Sequence, residues 1–154
     1  MKGLYTLICL FIGSFIIHYF LLPPIMSKNM YDVTNHLGKL YLSTISGLMI
    51  VVLEVLLRDH QYQRLSVNKY VFIGGLLALF IFLYRNQQWI DDNQYLADMI
   101  EKQSNGLLLS EAILKKSNSY NVSREAKIVV QTYSDQLRIL RDLLETDKKI
   151  SKRE

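Results

Sequence analysis

Three apolar runs decide what this chain can fold into: residues 4–22, 40–57 and 70–84. A helix needs ~20 apolar residues to cross the ~30 Å hydrocarbon core of a bilayer. Lipid offers no hydrogen bonds to a bare backbone, so a spanning segment must satisfy its own amides as a helix. The expected fold class is all-α, with three transmembrane helices (4–22, 40–57 and 70–86) followed by an extramembrane antiparallel two-helix hairpin. As domains, this reads as a membrane unit over 1–88, a hairpin over 89–146 and a basic tail over 147–154.

The first run has no formal charge and exceeds a signal peptide's usual apolar core of 7–15 residues. Lys2 precedes it, but no small-x-small cleavage pattern follows, so an uncleaved span is expected. Pro23-Pro24 is expected to end that helix. The second run contains Glu54, and an intramembrane carboxylate is a functional candidate by default. Arg58, four residues on, supplies the favourable order for an ion pair. His18 lies near the opposite end of its own span, ~15–20 Å from Glu54 along the membrane normal, too far for a relay. A neutral imidazole at the interface is the expectation for His18. Each span has small residues four apart (Cys9 and Gly13, Ser43 and Gly47, Gly74 and Ala78), a spacing that lets helices approach closely. The third run should continue as helix through Asn86-Gln87-Gln88, since no Pro or Gly intervenes.

Charge divides the chain in the same way. Residues 1–84 hold three acids (Asp32, Glu54 and Asp59), and residues 85–154 hold the other eleven. Net charge is +4 with pI near 9.1, yet no basic face is concentrated, which argues against a nucleic-acid partner. Lys2, Arg58, Arg64 and Lys69 would share one side of the membrane, against Lys28 and Lys39 on the other. By the positive-inside rule the N-terminus is cytoplasmic and the C-terminal hairpin lies on the outer, periplasmic or luminal side. Asn121-Val-Ser123 would then be an outer-face match to a glycosylation acceptor. The lone Cys9 excludes an intrachain disulfide.

Beyond Trp89 the pattern becomes amphipathic. Trp89, Leu96, Ile100 and Leu107 share one helix face, with Asn105-Gly106 expected to loosen its middle. Residues 117–121 read as a loop, with Ser123 as N-cap and Glu125 in the first turn. Ala126, Val130, Tyr133, Leu137, Leu140 and Leu144 then recur at 4-3-4-3-4, a heptad seam that must be buried against another helix. A two-helix pair leaves apolar surface wet, so homo-oligomerisation through that seam is expected, with the lipid bilayer as the other partner. Lys148 and Lys149 complement the helix end, and the last residues should fray.

The chemical inventory is thin. No Ser/His/Asp set, soluble Cys nucleophile or phosphate-binding Gly loop is present, so no enzyme, no cofactor and no catalytic residues are expected. The charged residues Glu101, Lys102 and Glu111 read as a solvated face. Met26, Met30 and His36, with Met99, are weak metal candidates, since thioethers with imidazole suit copper. Copper binding or tolerance at the outer face is therefore the alternative to a non-catalytic association role.

Asp91-Asp92, Met99-Ile100 and Leu109-Ser110-Glu111 after three spans resemble the membrane-anchored branch of the ferritin-like family called domain of unknown function 305. The resemblance implies a ferritin-like half-bundle and a metal-related context. The family's motif reads Met-Ile-Pro-His-His. Here Met99 and Ile100 match, Glu101 replaces Pro, and Lys102 and Gln103 stand where the His pair belongs. Tyr133, Gln136 and Leu140 occupy the positions of its later Gln, Glu and Met. The resemblance thus implies the fold without its ligands.

Overall fold

The computed structural model describes residues 2–63 and 65–151, with the side chains of residues 2, 3, 148 and 151 left aside. Arg64 of the basic loop, the side chains of Lys2 and Lys148, and the tail end 152–154 thus lie outside the described residues. The chain is all-helical: α1 (Lys2–Ile16), a π turn (Ile17–Leu21), α2 (Leu22–Met26), a 3-10 turn (Met30–Asp32), α3 (Leu37–Tyr62), α4 (Val67–Arg85), α5 (Asp92–Lys116) and α6 (Tyr120–Ser151). Three helices are long and apolar enough to cross a membrane: Leu4–Met26, Leu37–Tyr62 and Val67–Arg85.

Two compact units divide the chain, and the first comprises Met1–Leu22 with Leu37–Trp89. In it α3 packs along both α1 and α4, while among the described residues α1 and α4 share no comparable face. Leu48, Val51, Val55 and Ile73 form the core, with Leu7 and Phe11 packed against it. Only one expected small-residue pair serves this packing. A Cβ on Gly47 would stand 2.8 Å from the Phe11 ring and 3.2 Å from its carbonyl oxygen, whereas Gly13 and Gly74 face open space. The central helix alone has neighbours on two sides, which is why the close approach falls there. Tyr41 donates to the Gln88 carbonyl at 2.9 Å and meets Phe80 edge-on.

The diproline does not end the first helix. Leu22 N–H bonds the Ile17 carbonyl, five residues back, and α2 continues through Pro23 and Pro24 to Met26. The wider π turn relieves the ring's clash with the preceding turn, so the prolines are accommodated. Glu54 and Arg58 pair at 2.7 Å as their spacing predicts. Asp59 accepts from Ser66 N–H (2.6 Å) and Oγ (3.1 Å), tying the α3–α4 connection to α3.

The third span stops at Arg85 rather than running through residues 86–88. Gln88 N–H bonds the Leu83 carbonyl and Gln87 N–H the Tyr84 carbonyl, the paired bonds of a Schellman stop. Gln87 takes the left-handed position (φ 50°) that glycine usually fills, and Trp89 is left-handed too (φ 58°). The Asn86 and Gln87 side chains also donate to the Phe82 and Tyr84 carbonyls. A new helix then opens on Asp91, whose carboxylate caps Gln94 N–H at 2.7 Å.

The second unit comprises Pro23–His36 with Ile90–Glu154. The first loop, read from sequence as part of the membrane domain, therefore groups with α5 and α6. Ile100, Leu107, Leu137 and Leu144 form its core, with Leu96, Val130, Tyr133 and Leu140 against it. The heptad seam is thus buried within the chain, with α5 supplying the facing helix. Gly106 does not loosen α5, which is continuous; a Cβ there would lie 2.3 Å from Tyr133 Cε2, so Gly106 makes room for the ring. The connection to α6 is only residues 117–119, and α6 starts at Tyr120, before Ser123. Ser123 Oγ donates back to the Ser117 carbonyl (3.4 Å) instead of capping. At the other end α6 persists to Ser151, through much of the expected tail.

Candidate functional site

The polar residues of the second unit gather where Pro23–His36 lies along α5 and α6. Ala97, Asp98, Glu101, Ser104 and Glu111 recur at helical spacing on α5, along one side of the apolar Ile100 and Leu107. Asp98 and Ser104 are buried and Glu101 nearly so, while Lys102, expected with it on a solvated face, is exposed and Glu111 partly so. The sequence reading saw the charges but had no signal for the segment, some seventy residues upstream, that covers them.

Asp32 is the centre. It ends the 3-10 turn and is 1% exposed. Its Oδ1 accepts from Arg141 Nε at 3.0 Å and Nη2 at 2.5 Å, and its Oδ2 from Ser104 Oγ at 2.7 Å. Ser104 Oγ in turn accepts from Lys28 N–H at 3.0 Å. Lys28 Nζ forms an ion pair with Glu111. Thr34 completes the seam, donating from N–H to Glu101 Oε2 and from Oγ1 to the Ala97 carbonyl, both at 3.2 Å. A buried carboxylate without such donors would be prohibitively costly, so the three bonds it accepts are what permit Asp32 to lie there.

His36 is buried at the end of the segment, with Nε2 3.8 Å from Asp98 Oδ1 and 3.7 Å from Glu101 Oε2. Asp98 Oδ2 is taken by Lys102 Nζ at 2.6 Å. Gln103 Nε2 donates to Gln136 Oε1 at 3.0 Å, a bridge from α5 to α6. Lys102 and Gln103, standing where the resembling family has its His pair, are thus engaged in an ion pair and an interhelical bridge. Alongside lies a cleft of about 320 Å³ lined by Thr34, Asn35, Asn93, Gln94, Ala97 and Leu144.

Of the sequence-derived metal candidates, Met26 and Met30 are exposed, Met99 is half-buried and His36 is buried among carboxylates. Among the described residues no three His, Cys, Asp or Glu side chains are placed to share a metal ion. Ser104, a buried hydroxyl at the centre, donates to the Asp32 carboxylate. What the arrangement does chemically is hold: it fastens a fourteen-residue segment to two helices. Arg141 and Ser104 are the members that sequence reasoning missed, because their partner is remote in the chain.

No protein-family model matches the chain, and no solved structure does. It is similar to an uncharacterised protein of Acanthamoeba polyphaga mimivirus, 22% identical over 138 residues, covering 89% of this chain and 90% of that protein.

Proposed function

We propose that this is a non-catalytic integral membrane protein whose α5 and α6 form an extramembrane antiparallel hairpin that associates with a second copy. The N-terminus is cytoplasmic and the hairpin lies on the outer side, as the basic residues Lys2, Arg58, Arg64 and Lys69 favour. One observation carries the association. Ile128, Ile139, Leu143 and Ile150 are about half exposed on α6, at spacings of eleven, four and seven residues. Each spacing is close to a whole number of turns, and the stripe lies roughly 130° around the helix from the seam buried against α5. A helix with two apolar faces has a second partner to bury. Two copies joined on these faces would complete a four-helix, ferritin-like arrangement with a two-fold axis.

The test is the mass of the detergent-solubilised full chain and of the double variant I139D/L143D. A dimer for the wild type and a monomer of unchanged helix content for the variant is the expected result. A monomeric wild type with an ordered α5–α6 pair would sink the association. Reporters at Gln63 and at the C-terminus test the sidedness, which a cytoplasmic C-terminus would overturn.

A further inference from the structure

The first unit contains a groove of about 390 Å³ between α1 and α4, floored by Leu48 and Val51 of α3. It exists because α3 packs against both neighbours while they do not close on each other. Its lining extends over residues 4–11 of α1 and 69–76 of α4, and Lys69 is its one charged member. At 1.5 Å per residue that is ~10 Å of depth. One leaflet supplies ~15 Å of hydrocarbon, so the groove is confined to a single leaflet.

We propose that this groove binds one acyl chain of an anionic phospholipid, whose phosphate is held by the Lys69 ammonium. The wall chemistry is that of a lipid tail: apolar throughout, with Leu4, Phe11, Phe72 and Leu76 presented to it. Lys69 stands in the first turn of α4, where the helix meets the headgroup layer. Glu54 is paired with Arg58, while Asp59, bound by the Ser66 N–H and hydroxyl, also acts on Lys69, so a phosphate would share the ammonium with that carboxylate. A partner helix fits less well. It is 10–12 Å across and crosses both leaflets, so it needs a seat along the whole span.

The reading rests on the three helices lying in a bilayer and not on association through α6, which involves the other unit. The experiment is native mass spectrometry of the full chain, purified in detergent and offered equal phosphatidylglycerol and phosphatidylcholine. One phospholipid should be retained per chain, with phosphatidylglycerol favoured about fivefold, the worth of one basic residue at an anionic headgroup. K69Q should keep the lipid but level the two headgroups. I8W, which adds an indole at an exposed groove position, should lose the lipid with helix content unchanged. No retained lipid in the wild type would overturn the proposal, as would a headgroup preference unaltered in K69Q. So would a dimer that I8W dissociates, because a second copy would then be the occupant.

Discussion

Arg141 and Asp32, 109 residues apart, meet in a two-nitrogen contact on one carboxylate oxygen, at 3.0 and 2.5 Å. The two ends differ in exposure: the Asp32 side chain is 1% exposed and that of Arg141 44%. Arg141→Ala therefore strands a buried charge, whereas Asp32→Asn removes that charge. We expect R141A to destabilise by about 3 kcal/mol, the low end for breaking a buried pair, because solvent partly screens the Arg141 side. D32N should cost less, and the double variant less than the sum of the two. Thermal unfolding followed by helix content measures the cycle, and strict additivity would show that the pair contributes no coupling.

Gly106→Ala should destabilise the α5–α6 pair by about 1–3 kcal/mol, the usual cost of overpacking, because its methyl overlaps the Tyr133 ring. Trimming the ring should relieve this. G106A/Y133L is expected to be more stable than G106A alone, and equal or lower stability would show that the ring is not the obstacle.

At Gly47 the neighbour is partly backbone. The Phe11 carbonyl oxygen is 3.2 Å from an added Cβ, so trimming that side chain cannot fully rescue G47A. The expected result is a loss of about 1–3 kcal/mol in G47A with only partial recovery in G47A/F11L. Gly74→Ala, whose added methyl meets nothing within 4 Å, should stabilise α4 by about 0.5–1 kcal/mol.

Asp91→Ala removes the side chain that accepts Gln94 N–H at 2.7 Å at the start of α5. A loss of about 1 kcal/mol is expected, and D91N should retain most of it. At the preceding stop, Gln87→Gly should stabilise slightly, since Gln87 occupies a left-handed position without being glycine. Helix content and unfolding midpoints of the three variants check both statements.

The parts visible in the sequence are those whose cause is local. Long apolar runs, the period of Ala126 through Leu144 and the Glu54–Arg58 spacing each concern residues within a few turns of one another. The parts missed depend on partners far along the chain or on a bond that leaves no compositional trace. Nothing near Asp32 points to Arg141, and nothing near Ser104 points to Lys28. The stop after Arg85 uses a glutamine where a glycine would have signalled it. The π turn could not be read from residues 17–21, and the diproline following it predicts the end of the helix that the turn lets continue.

The second unit is discontinuous in the chain, and that orders its making. Residues 23–36 leave the ribosome early, yet Arg141 follows Asp32 by 109 residues. At ~5–20 residues per second, Asp32 waits roughly 5–20 s for its counter-ion to be synthesised. During that wait the first unit's three helices have already been made, while the segment joining two of them carries an unmatched carboxylate. Completion of the second unit is therefore a late event, set by arrival of α6, and truncation within α6 before Arg141 would leave Asp32 without its counter-ion even with the segment's bonds to α5 in place.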